Sequence, residues 1–239
     1  MITIDSIAAD LAGGPGFVAV EARQFRSLLG ESAIADWSTF AQSWDHLETD
    51  EYMADGGRFR RRRFARFRTA RGLITREPHG PHFQSRDYNT LNGGIDRWFE
   101  PVTDAIAAHP ITARLLELCV DVFTKAAPVD PAGAAWTIEM HQFRIEPSPH
   151  EPGKPTPEGM HRDGVDWVFV GLIARTGVGG GVTGIGDASG NSLGSFMLSD
   201  PLDAVFLDDH RVRHGVTPIA ILAPGRPSHR DVLVLTFRR

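Results

Sequence analysis

The chemistry most legible in this chain begins at His161 and Asp163, two positions apart in Gly159-Met160-His161-Arg162-Asp163-Gly164, with the apolar run Val165 to Ala174 directly behind. An imidazole and a carboxylate at alternate positions of an extended segment lie on one side of it, which suits two ligands of a single metal ion. HxD alone arises often by chance, so a third ligand has to come from elsewhere. His214, in Arg213-His214-Gly215-Val216-Thr217-Pro218-Ile219, stands at the entry to a later β-run. Two histidines and one carboxylate are the composition of a facial triad, which holds one face of an octahedral Fe(II) and leaves the other face open. A chelating 2-oxo acid and O2 together fill such a face.

Two histidines compete with His214 for that place. His210 lies in the acidic turn Asp208-Asp209-His210, and His141 shares the parity of Phe143 and Ile145, which reads as packing; His214 is therefore favoured. Arg230 opens the last strand, Arg230-Asp231-Val232-Leu233-Val234-Leu235-Thr236-Phe237. If the runs 212–219 and 231–237 pair, Arg230 reaches the same cavity, where a guanidinium fork suits the distal carboxylate of a 2-oxo diacid. Without the triad it would read as a surface arginine at a strand end.

These residues need elements to position them. Residues 3–12 read as a short helix stopped by Gly13-Gly14-Pro15, followed by a strand at 17–20 and helical patterns over Ala22 to Leu29 and Ser32 to Leu47. Ile34, Trp37, Phe40 (or Ala41) and Trp44 recur at helical spacing, the stripe of a core-facing helix. The most basic stretch, residues 58–68, reads as a strand with Arg60, Arg62, Arg66 and Arg68 on one face and Phe59 and Phe67 on the other. That face is either solvated or captures an anion; the formal charge of −5 disfavours nucleic acid. The irregular stretch 76–95 carries many functional groups and reads as a binding loop or lid. Helices are expected over Ile95 to Ala108 and Thr112 to Ala126, with Cys119 an inert buried thiol.

From about 135 the pattern turns to β. Ala135 to Glu146 is a strand with Met140, Gln142 and Arg144 on one face, and further strands fall near 193–198, 203–207, 212–219 and 231–237. Short strands parted by Gly, Pro and Asp turns indicate a sandwich or barrel. Gly179 to Gly184 formally satisfies GxGxxG but opens no helix, so a dinucleotide site is rejected. There is no HExxH, CxxC pair or P-loop.

At 239 residues and 41% apolar content the chain can bury one large core. A single cysteine allows no internal disulfide, and the N-terminus has no signal-peptide pattern. The expectation is a soluble cytoplasmic protein that neither spans a membrane nor binds nucleic acid, with a homodimer compatible with the sequence.

Six segments, in order, resemble the bacterial Fe(II)/2-oxoglutarate dioxygenases of the L-isoleucine 4-hydroxylase type, which hydroxylate free L-amino acids. They are the Arg60, Arg62, Arg66 pattern; Phe83 to Asn89 with Gly93-Gly94; His141 to Arg144; His161-Arg162-Asp163; Phe206 through His214 to Pro218; and Arg230 to Leu233. The resemblance implies a mainly β fold, a double-stranded β-helix (jelly-roll) core with flanking, mostly N-terminal α-helices. It implies a single domain over 1–239, with 1–130 as support and 131–239 as the jelly-roll core. It further implies His161, Asp163 and His214 as iron ligands, Arg230 as the 2-oxoglutarate anchor, and Fe(II), 2-oxoglutarate and O2 as the reagents. The product expected is a hydroxylated or sulfoxidised amino acid, with succinate and CO2. Arg144, Arg60 and Arg62 are candidates for the substrate carboxylate, and the Gln84 to Tyr88 loop for its cover. The alternatives are a cupin-like metal enzyme that does not use 2-oxoglutarate and a non-catalytic anion-binding barrel. The dense arginine run, the Pro147 to Pro157 loop and the Gly-rich segment depart from the family pattern.

Overall fold

A computed structural model of the protein describes residues 2–53, 56–70, 72–128 and 135–239. The boundary expected at 130/131 lies outside the described residues. The chain opens with a helical layer: α1 (Ile4–Gly13), α2 (Ala22–Leu29) and α3 (Trp37–Gln42), with strand β1 (Phe17–Val20) between the first two. Thr3 and Ser6 form a reciprocal capping box that satisfies the first amides of α1. α4 (Asp104–Ala107) and α5 (Pro110–Ala126) complete the layer. Pro110 starts α5, where its missing N–H costs nothing, and His109 Nδ1 accepts from the Ile111 N–H.

The other strands are β2 (Glu48–Thr49), β3 (Arg60–Ala70), β4 (Leu73–Arg76), β5 (Thr137–Ile145), β6 (Trp167–Thr176), β7 (Val178–Gly180), β8 (Val182–Asp187), β9 (Ser192–Met197), β10 (Ala204–Asp208), β11 (Val212–Val216), β12 (Ile219–Ile221) and β13 (His229–Arg238). They form an eight-stranded antiparallel sheet, β1-β10-β6-β13-β5-β3-β2 with β4 on β3, opposed by a smaller layer of β11-β8-β9 and β12-β7. Mixed-sheet packing of Ile185 and Val212 against Val168, Val205 and Leu207 closes one end of the space between the layers. This is a jelly-roll core with helices on one outer face, and β3, from the N-terminal half, sits well inside the same sheet as β13. Among the described residues no helix is long and apolar enough to cross a membrane.

The large sheet is buried on both faces, and that decides where each side chain goes. Ile138, Met140, Phe169, Phe206, Leu233, Leu235 and Phe237 pack outward against Phe25, Phe40, Trp44, Leu118 and Phe123 of the helical layer. Each such apolar side chain contributes about 1.5–3 kcal/mol. The alternate residues, Glu139, His141, Phe143, Val232, Val234 and Thr236, face the cavity between the sheets.

Two expected helices are shorter than their periodicity suggests. Only Trp37–Gln42 of 32–47 is α-helical, followed by a 3-10 turn over Ser43–His46. Residues 95–103 are not helical: the Arg97 backbone makes an antiparallel bridge with His82, and Phe64 bridges Pro101. The pairing gained at the edge of the arginine strand outweighs local helical propensity.

Candidate active site

The cavity between the sheets is where the predicted ligands meet. His161 and His214 exchange backbone hydrogen bonds, His161 N–H to His214 O at 3.0 Å and His214 N–H to His161 O at 2.9 Å, so the loop before β6 is stitched to β11. Asp163, on the same loop, turns its carboxylate between the two rings. Its Oδ1 lies 3.6 Å from His161 Nε2 and its Oδ2 3.6 Å from His214 Nε2. The Gly159 carbonyl accepts from His161 Nδ1 at 3.0 Å, which fixes the tautomer and leaves Nε2 to a metal. The three ligand atoms lie within 4.8 Å of one another, so side-chain adjustment alone brings them to one ion.

Electrostatics match a cation site. Burial pushes the His161 pKa down, but the Asp163 and Glu158 carboxylates outweigh it and hold it up at about 9. Burial and the charge on His161 press His214 down to about 4. Asp163 is buried yet held well below the usual carboxylate range by His161 and His214. At neutral pH His161 therefore holds a proton beside the ionised Asp163 and the neutral His214, in the position a metal ion would take. This donor set fits Fe(II).

The turn that carries the ligands is built by a residue that sequence reasoning passed over. Asp209, fully buried, accepts the N–H groups of Asp163 at 2.9 Å, Gly164 at 2.7 Å and Val165 at 3.1 Å. Burial and the neighbouring Asp163 charge raise its pKa to about 6. Its only sequence signal was the acidic turn Asp208-Asp209-His210. Gly164 has φ +77°, and a Cβ there would stand 2.4 Å from the Tyr88 ring, so glycine is required. Arg162 points away from the ligands, its Nε donating to the Asp209 carbonyl.

Arg230 also reaches the cavity, but not through the expected pairing. β11 pairs with β8, while β13 lies between β5 and β6, so Arg230 approaches from the opposite sheet. It is 2% exposed, its Nε is buried without a partner, and burial together with Arg175 lowers its pKa to about 10. An unsatisfied buried guanidinium calls for an anion, which fits a 2-oxo diacid. Gly181, at φ +77°, keeps this end open: a Cβ would meet Arg175 Nη1 at 2.9 Å and Arg230 Cδ at 3.7 Å.

Of the residues expected to hold substrate, Arg60, Arg62 and Gln84 line the cavity. Arg60 is already engaged, donating from Nε and Nη2 to Asp50 Oδ2 at 2.7 Å each. Arg62 donates to His141 Nδ1 at 2.7 Å and stacks 3.4 Å over Phe99. Gln84 latches the loop to the ligand turn, donating to the Asp163 carbonyl at 3.0 Å. Two expectations are corrected. Arg144 lies on the helical side of the sheet, bidentate to Asp231 at 2.8 and 2.7 Å and bonded to Asp45 at 2.8 Å. Its parity is that of Met140; the cavity face carries His141 and Phe143 instead. Tyr88 is 39% exposed and packs on the outside of Gly164, so it does not face the cavity.

Sequence reasoning also missed His82, Glu139, Arg97 and Glu158, all of which line the cavity. His82, Glu139 and His141 are close enough to form a second metal cluster. Arg62 already occupies His141 Nδ1, and burial followed by the charge on Arg62 drives the His141 pKa well down, so this cluster sits in a cationic field. A divalent ion is better served at His161, Asp163 and His214.

An antiparallel jelly roll with two imidazoles and a carboxylate at the mouth of its cavity is the architecture of a non-haem iron oxygenase. Residues 41–236 match the 2OG-Fe dioxygenase family, and the chain belongs to it. It is accordingly a dioxygenase that uses Fe(II), 2-oxoglutarate and O2. The family match leaves the cupin-like and non-catalytic readings without support. A 3(1)-hydroxy-L-isoleucine 4-dioxygenase of Pantoea ananatis (strain AJ13355) is 26% identical over 95% of this chain and 90% of its own. An L-isoleucine-4-hydroxylase of Bacillus thuringiensis is 26% identical over 65% of this chain and 64% of its own. The crystal structure of a bsmA homolog from Methylobium petroleophilum PM1 superposes with a TM-score of 0.88 at 36% identity, covering 99% of this chain and 93% of that one. That of IDO from Bacillus thuringiensis superposes with a TM-score of 0.82 at 21% identity, covering 98% of each chain.

Proposed function

We propose that the whole chain acts as one catalytic domain that oxidises a free L-amino acid, or a close derivative of one, at an unactivated C–H bond or a thioether sulfur. His161, Asp163 and His214 hold Fe(II), and Arg230 binds the distal carboxylate of 2-oxoglutarate. The observation that carries this reading is the convergence of the three ligands and the unpartnered Arg230 on one cavity. The two curated relatives, both named for oxidation of isoleucine or its hydroxylated form, support an amino acid as substrate.

Bound Fe(II) supplies the activation of O2 at the expense of 2-oxoglutarate, which leaves as succinate and CO2. The chain supplies the rest. Gly159 and Asp209 orient the ligands, and Arg230 fixes one end of the co-substrate. Val170, Val205, Val232 and Val234 line the cavity with apolar wall that limits water at the reacting carbon.

The test is anaerobically reconstituted Fe(II) protein, mixed with 2-oxoglutarate and O2 and screened for succinate release against the free L-amino acids, their N-substituted forms and dipeptides. Succinate matched to oxidised amino acid is expected, and its loss in Asp163→Ala with the fold retained. If no amino acid or derivative drives succinate release from the wild type, the reading fails.

A further inference from the structure

Arg97, like Arg230, is a buried guanidinium in the cavity with no counterion among the described residues. Its residue is 2% exposed, its Nε is buried with no partner, and its side chain has no hydrogen-bonding or ion-pairing partner among the described residues. The groups around it do not supply one. Arg60 and Arg62 share Asp50, with Arg62 Nη1 3.6 Å from Asp50 Oδ2. Glu139 is taken by His82, whose Nδ1 lies 3.0 Å from Oε2. His82 and His141 both have pKa values lowered, chiefly by burial, so at neutral pH they add no positive charge. Three guanidinium groups therefore face two carboxylates at this end, a surplus of one positive charge in a buried space. A buried charge of that kind is stable only with a partner.

The opposite charge lies on the metal side. Glu158 is three residues before His161, and its Oε1 is 3.4 Å from His161 Nε2. Its Oε2 is buried without a partner. Glu158 is among the charges that act on Arg97, yet the two do not pair directly. They present one unsatisfied cation and one unsatisfied carboxylate oxygen to the same space.

We propose that Arg97 and Glu158 are the two arms of a clamp for a zwitterionic α-amino acid head group, the Arg97 guanidinium taking the substrate carboxylate and Glu158 the α-ammonium. This rests on the function proposed above and narrows it: the substrate is a free amino acid, with neither its amine acylated nor its carboxylate amidated, which excludes peptides. The cavity then carries two carboxylate anchors, Arg230 for the co-substrate and Arg97 for the substrate. Each discriminates because an uncharged analogue leaves a buried charge bare.

The test uses the Fe(II)·2-oxoglutarate protein under anaerobic conditions, with the amino acid that gives most turnover in the succinate screen, its N-acetyl form and its carboxamide. Binding is read by calorimetry. In the wild type both derivatives should bind at least about 100-fold more weakly than the free amino acid. Arg97→Met should weaken the free amino acid by a similar factor while the 2-oxoglutarate KM stays within about threefold, and it should erase the preference for the free acid over the carboxamide. Arg97→Lys should recover part of the affinity. Glu158→Gln should erase the preference for the free amine over the N-acetyl form. The analogue series on the wild type needs no variant to fold. If an amino acid supports turnover but Arg97→Met binds it as the wild type does, or if the wild type accepts all three forms alike, the clamp is wrong and the proposed function stands. If no amino acid supports turnover, both fall together.

Discussion

Arg144 offers the sharpest test of what the tertiary structure adds, because the strand alone makes it a substrate ligand and the fold makes it a strut. In the structure its guanidinium forms a bidentate pair with Asp231, at 2.8 and 2.7 Å, and reaches Asp45. Asp231 is 1% exposed, with His229 Nε2, 3.6 Å away, as its second basic neighbour among the described residues. Arg144→Met keeps the length of the side chain and strands that carboxylate. Removing one partner of a buried pair costs about 3–5 kcal/mol, a large share of the roughly 5–15 kcal/mol that holds a domain folded. At about 2–4 °C per kcal/mol for a chain of this size, the melting temperature should fall by about 6–20 °C. Burial pushes the Asp231 pKa up even with Arg144 in place. In the variant it rises further, so the deficit is largest at high pH and shrinks as the carboxyl takes up a proton in acid. Arg144→Met with Asp231→Leu removes both charges and should recover most of the loss. The assay is thermal unfolding of the metal-free protein across pH, paired with steady-state KM values for amino acid and 2-oxoglutarate. Both KM values should be unchanged. Unaltered melting with a raised amino acid KM would refute the assignment and return Arg144 to the site.

Two other perturbations probe the scaffold of the site. Asp209→Asn leaves one acceptor and sets amide donors against the N–H groups of residues 163–165, so Co(II) or Ni(II) affinity should fall about 10–100-fold; unchanged affinity would show that the turn holds itself. Asp50 is held below the usual carboxylate range because Arg60 and Arg62 together with the Tyr52 N–H outweigh its burial. A lowered folded pKa gives stability that is present above the unfolded value of about 3.9 and is lost as pH falls through the folded one. Metal-free wild type should thus lose stability more steeply below about pH 4 than Asp50→Asn, which should already be weaker at neutral pH. Equal slopes in unfolding titrations would contradict the pairing.

Much of the site was legible because its residues declare themselves by type and local spacing. His161 and Asp163 sit two apart ahead of an apolar run, and His214 opens a strand after a turn. His210 and His141 compete less well for the third place, and the fold brings His161, Asp163 and His214 together on one cavity. Arg230 was legible for the same reason, although it reaches the cavity from the opposite sheet and not from a neighbouring strand. The α1, β1 and α2 segments were legible too, because strong breakers and short-range periodicity bound them.

What the sequence could not decide is which side of a two-sided sheet faces the cavity. Alternation separates Met140, Gln142 and Arg144 from His141, Phe143 and Ile145, but both sets carry apolar and polar groups. Only the helices packed on one face tell the core side from the cavity side. Counterions were equally hidden: Arg60 and Arg62 share the one carboxylate of Asp50, and Asp231 neutralises Arg144. Arg97 was concealed within a helical pattern that pairing with His82 overrides. Residue types and spacing determined what chemistry this chain can hold. The assignment of each arginine to structure or to ligand is a matter of which charges remain unpaired after folding, and only the tertiary structure decides that.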